Sequence, residues 1–157
     1  MLERDNNTQI LPDYGMKILD HFYPEGTRQE ERDYYLSSGL IPTNNLSMYI
    51  VDEPKAEWAP GVKNPFDYRW KTFGGVIEKL KTSNPELWEE AKKINEESDV
   101  SGQNFIKLLD SKKPIDPEVF SAGDRLQLRK SEIYNKVIRI IAPQLLEQGI
   151  DPLDVCI

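Results

Sequence analysis

One cysteine and one histidine in 157 residues leave this chain poorly equipped for several common chemistries. Cys156 alone excludes an internal disulfide and removes Cys-based zinc sites. Its neighbour Asp154 disfavours the thiolate that a nucleophile would need. His21 has Asp20 beside it but no second histidine to share a metal. Leu19, Phe22 and Tyr23 around it predict a partly buried helix face. Serine catalysis fares no better, because no G-x-S-x-G segment is present. Gly74-Gly75 lacks the Lys-Ser/Thr pair that follows a phosphate loop. The sequence therefore predicts no cofactor and no metal, and it favours binding over catalysis.

Long apolar runs are also missing. None approaches the roughly 20 residues that a membrane helix needs. The opening MLERDNNTQI carries charges and amides where a secretory signal has its apolar stretch. A prenylation cysteine four residues from the end would fall on Asp154. The expectation is a cytoplasmic protein with no membrane partner, or a component of a virion or other assembly.

Positive charge is in deficit, with a formal net charge of −7 that repels nucleic-acid backbones unless a local patch overrides it. The deficit is uneven. Residues 1–100 hold 12 Lys and Arg against 19 Asp and Glu, whereas residues 101–157 hold 8 against 8. In the second part Arg125, Arg129, Lys136 and Arg139 share one helix face, a basic stripe able to meet nucleic acid or an acidic protein. The same stripe can instead neighbour the acidic helix of Glu86, Glu89, Glu90, Glu96 and Glu97.

Aromatics, by contrast, are plentiful: three Trp, seven Tyr and five Phe argue against disorder. Helix starts recur as well. Asn64-Pro65, Asn84-Pro85, Asp116-Pro117 and Asp151-Pro152 each set an Asx residue, able to accept from first-turn amides, before a proline that wastes no donor. Apolar stripes at helical spacing follow, through Phe66, Trp70, Phe73, Ile77 and Leu80, then through Leu87, Trp88, Ala91 and Ile94. A separate short helix is expected near 103–110. The longest should begin at Asp124, face Leu126, Ile133, Val137, Ile140 and Ile141 inward, and be disturbed by Pro143. Asp13 opens a first helix to about Tyr23, and Thr27 with Glu30 forms a capping box for a second that stops at Gly39.

From about 41 to 64 the prolines multiply, and residues 47–51 form the one good strand candidate. A lone strand must pair, either with Val155-Cys156-Ile157 or with another chain. Tyr49 and Val51 therefore join Trp58, a tryptophan in a Pro-rich loop, as candidate partner-binding residues. Tyr34, Tyr35 and Trp70 are expected in the core.

The stretch Asp33-Tyr34-Tyr35-Leu36-Ser37-Ser38-Gly39-Leu40-Ile41-Pro42 resembles the R-Y-Y-E-x-x-G-L-I-P segment of MerR-type winged-helix regulators. In that family the segment follows the recognition helix and includes phosphate contacts. Here Asp33 replaces the Arg, Leu36 replaces the Glu, and no wing sequence follows. The ten residues read as a helix ending in Gly and Pro.

These features predict a mainly α single domain over residues 1–157. It is a compact bundle of about six short to medium helices, with an extended central segment at 41–64 and a minor β element. The expected role is that of a non-catalytic protein-binding or structural protein, a small subunit of a larger assembly or a phage-type accessory protein. Its partner would be another protein or a further copy of itself. Two alternatives are an acidic inhibitor of a basic, nucleic-acid-binding surface, and a nucleic-acid-binding module using the basic C-terminal helix.

Overall fold

Apolar residues at spacings of three and four dominate both ends of the chain, and helices follow from them. The computed structural model describes residues 11–50 and 75–156, and 78% of these are helical. Helix α1 spans Asp13–Phe22 and α2 spans Gln29–Ser38. A 3-10 turn covers Leu46–Tyr49. Helix α3 is described over residues 75–83, followed by α4 at Pro85–Ser111, α5 at Pro117–Glu147 and α6 at Leu153–Cys156. Val51, Trp58, the Asn64-Pro65 start and the stripe residues Phe66, Trp70 and Phe73 lie outside the described residues.

Three Asx-Pro pairs fall at helix starts, by two different mechanisms. Asp116 accepts from the Glu118 amide at 2.9 Å and Asp151 from the Leu153 amide at 3.0 Å, as capping requires. Asn84 makes no side-chain cap; its amide donates to Ser83 Oγ, and α4 starts on proline geometry alone. Gly39 closes α2 at φ 75° as expected. The capping box does not form, because Arg28 holds the N-cap in the left-handed region and the Thr27 hydroxyl donates back to the Pro24 carbonyl.

The minor β element is not formed among the described residues. The described part of the strand candidate is a 3-10 turn whose carbonyls at Ser47 and Ile50 accept from the Asn95 amide, and Val155 and Cys156 of the expected C-terminal mate are helical. The two segments nonetheless meet, since the Asn45 amide donates to the Cys156 carbonyl at 3.1 Å. A helical end offers few free backbone groups, so contact there takes one hydrogen bond rather than a ladder.

Two expected breaks are also absent. The helix near 103–110 is the continuation of α4 through Gly102, and α5 begins at Pro117 and runs through Gly123, Asp124 and Pro143. Glycine weakens a helix by only about 1 kcal/mol, and flanking turns carry the chain across it. At Pro143 one amide is lost, but the turns on either side are anchored by buried Ile141, Ala142 and Leu145.

The core joins Ile18 and Leu19 of α1, Ile41, Leu46, Tyr49 and Ile50 of the following segment, and Val76, Ile77 and Leu80 of α3. It is completed by Trp88, Ala91 and Ile94 of α4, Ile133 to Leu145 of α5, and Val155 and Cys156. Of the residues expected there, Tyr35 is only partly buried and Tyr34 is exposed, while His21 is exposed with its ring edge-on to Phe22.

Polar anchors set how the pieces sit on the core. Asn135, itself buried, accepts from the Ile41 amide at 2.6 Å and donates to the Ile41 carbonyl at 3.0 Å. Buried Arg32 reaches Asp20 and the Tyr23 carbonyl, both at 2.8 Å, and so caps the C-terminus of α1. Lys17 pairs with Asp151 between α1 and the entry to α6.

Asn135→Ala leaves both backbone groups of Ile41 buried without partners and is expected to lower the unfolding free energy by about 2–4 kcal/mol in urea titrations. Burial pushes the Cys156 thiol up to about 12. Native protein at pH 8 is therefore expected to resist a thiol-disulfide reagent, with reaction appearing at the rate of unfolding.

Candidate functional site

Helices α4 and α5 are about 40 Å and 46 Å long by their residue counts, at about 1.5 Å per residue. The first part of α4 and the last part of α5 supply their buried core residues, and of the stretch between them Leu126 packs, partly buried, against that core. The buried residues of α4 stop at Ile94 and those of α5 begin at Ile133. Between them, over residues 95–132, no residue is buried. The two helices thus extend past the core as a hairpin arm of roughly 25 Å.

The arm is not polar all round, as a solvated projection would be. Val100, Ile106, Leu108, Leu109, Phe120 and Leu128 are all large, apolar and exposed, and only Tyr34 and Leu146 join them elsewhere among the described residues. A groove of about 1100 Å³ runs along the arm, with Val100, Phe105, Leu108, Val119, Phe120 and Leu126 as its apolar lining. Phe105 and Phe120 meet edge to face across it, their centroids 5.6 Å apart.

Why the arm leaves this groove open follows from its seam. Near the core the helices meet through Ile94, Ile133 and Val137. Further out the groove is lined in part by Ser98, Ser101 and Gly123, too small to fill it. Polar links join the helices there as well: Lys130 and Gln127 donate to Ser98 Oγ, each at 3.2 Å, and Arg129 pairs with Glu97 at 3.1 Å. Burial holds the Lys130 ammonium below the usual lysine range, with Asp99 opposing the shift. Beside it, a polar cleft of about 220 Å³ between α2 and α5 is lined by Tyr35, Thr43, Asn44 and Tyr134. Burial, and then Asp99, raise the Tyr134 hydroxyl above the ordinary tyrosine range.

The residues singled out from sequence are scattered rather than gathered. Arg125 pairs with Glu118 on its own helix at 2.5 Å, and Arg129 with Glu97 of the acidic helix. Arg139 donates to the Gly39 carbonyl at 2.6 Å, capping the C-terminus of α2. Lys136 is exposed over the surface where Glu86, Glu89, Glu90 and Glu96 of α4 stand. Tyr49 is buried in the core, 1% exposed. Val51 and Trp58 lie outside the described residues. Among the described residues no three His, Cys, Asp or Glu side chains are grouped to hold a metal ion, and no helix is long and apolar enough to cross a membrane.

The arm itself escaped the sequence reading. The residues gave no warning: Phe105, Ile106, Leu108 and Leu109 fall on one broad helix face, the spacing of an ordinary core-facing stripe. Only the packing shows that the core ends before reaching them.

A hairpin with so little buried surface should open locally. In native-state hydrogen exchange, amides of residues 97–111 and 119–130 are expected to exchange well before those of 88–94 and 134–145. Equal protection along both helices would contradict the division into core and arm. Comparison with known proteins gives no match: no family model, no characterised protein and no solved structure aligns with this chain.

Proposed function

We propose that this protein is a non-catalytic interaction component of a larger assembly, joining its partner helix against helix through the α4–α5 arm. The supporting observation is the arm's apolar surface: six large apolar residues stand exposed on it, and three of them, Val100, Leu108 and Phe120, line the groove. Covering such a face removes apolar surface from water at about 25 cal/mol per Å², and an antiparallel pair of helices is a ready half of a four-helix bundle.

The nucleic-acid alternative draws less support from the same geometry. Three of its four basic residues are already engaged, Arg125 and Arg129 by carboxylates and Arg139 by a carbonyl. An acidic inhibitor would use carboxylates on α4, and these are interleaved with Lys92, Lys93 and Lys136 over a shallow surface.

The test compares the wild type with a Leu108→Glu/Phe120→Glu variant, both positions being exposed, so that folding is preserved. Each is sized by gel filtration, alone and after incubation in lysate of the native source. Wild type is expected in a complex of higher mass and the variant as free chain with an unchanged circular-dichroism spectrum and melting temperature. Identical elution of the two proteins in every condition would refute a role for the arm.

A further inference from the structure

We propose that the polar cleft between α2 and α5 binds a small molecule through one oxyanion group, a carboxylate or a phosphate, held on the Lys130 ammonium. The proposal is independent of any partner for the arm.

Three parts of the chain build the cleft. Tyr35 comes from α2, Thr43 and Asn44 from the segment after it, and Gln127, Lys130 and Ser131 from α5. Each of these side chains carries a polar group and none is an acid, in a chain with 27 Asp and Glu. Tyr134, which also lines the cleft, is 2% exposed, and its buried hydroxyl has no hydrogen-bond partner among the described residues.

Lys130 gives the cleft its sign. It is partly buried, and that burial holds its ammonium below the usual lysine range. An ammonium has three donors, and here one goes to Ser98 Oγ at 3.2 Å, an oxygen that Gln127 also uses. Among the described residues the other two have no partner, and Lys130 belongs to no ion pair. Of the charged groups around it, Asp99 is the one whose field it feels, from beyond ion-pair distance. Glu97 is paired with Arg129, and Arg139 donates to the Gly39 carbonyl. A half-buried charge without a counter-charge is costly, and an anion in the cleft offsets that cost.

Neutral groups complete the site. The Thr43 and Ser131 hydroxyls and the Asn44 side-chain amide make no hydrogen bond to the described residues. Each can donate to an oxyanion, with the ammonium supplying the stronger, charge-assisted bond. A single ammonium opposed by Asp99 suits one anionic group rather than a polyanion. The cleft's volume of about 220 Å³ is that of roughly seven waters, so the ligand has room for polar atoms beyond that group. The net charge of −7 disfavours anions over the chain as a whole, so retention here depends on these local donors.

The test titrates acetate and inorganic phosphate, separately, into the isotope-labelled full chain, with chloride at matched ionic strength as the control. At least one of the two is expected to give saturable amide shifts centred on residues 43–44, 98–99 and 127–134. The same anion, at about ten times its dissociation constant, should raise the melting temperature by about 3 °C. The tighter of the two identifies the group, and equal binding leaves the shared oxyanion chemistry. Lys130→Met keeps the side-chain stem beside Tyr134 and should weaken binding at least about tenfold. Ser131→Ala, a smaller change at a partly exposed position, should weaken it about threefold and serves if Lys130→Met does not fold. Shifts no larger than those with chloride for both anions would overturn the proposal. So would shifts centred elsewhere, or binding that the folded variants leave undiminished.

Discussion

Ile41 is where the fold is tied together. Its amide and carbonyl are both bound by the Asn135 side chain from within the core, and its own side chain is fully buried. Against that side chain lies Gly15 of α1, where a Cβ would stand 3.2 Å from Ile41 Cγ1. One residue thus fixes the distance from α1 to α5. An irregular segment crossing a core must satisfy its backbone groups somewhere, and a single asparagine with both donor and acceptor does so for both groups at once. Arg139 binding the Gly39 carbonyl two residues earlier extends the same attachment.

With that junction in place, α4 and α5 divide into a covered and an uncovered half. The covered half is cemented by Trp88, Ala91 and Ile94 against the buried side of α5, and there the rest of the chain closes over it. The uncovered half persists because a helix already nucleated adds turns at little cost, even across Gly102 and Gly123. It is therefore stable enough to project but gains little from its own seam.

Much of the helical skeleton was legible in the residues. Asp13, Gly39 and three Asx-Pro pairs mark real boundaries, and the stripes through Ile94 and through Ile133, Val137 and Ile141 are buried as their spacing implies. Where the reading failed, tertiary structure outweighed a local preference. Residues near Tyr49 have strand composition, but with no neighbour to complete a ladder they turn as a 3-10 segment whose carbonyls go to Asn95. Asp124 has the chemistry of a cap, but Asp116 and Pro117 had already begun the helix.

The amino-acid sequence by itself determined that this protein is helical, where most of its helices begin, and that thiol and histidine chemistry have little to work with. Those properties depend on neighbours within a few residues: caps, prolines, and apolar spacing. Only the tertiary structure decided which apolar residues are core and which are surface. Ile94 and Ile106 look alike in sequence, yet one is 1% exposed and the other 58%. The difference lies in how far along α4 the remaining elements reach, and that reach is set by contacts such as Asn135 with Ile41, 94 positions apart in the chain.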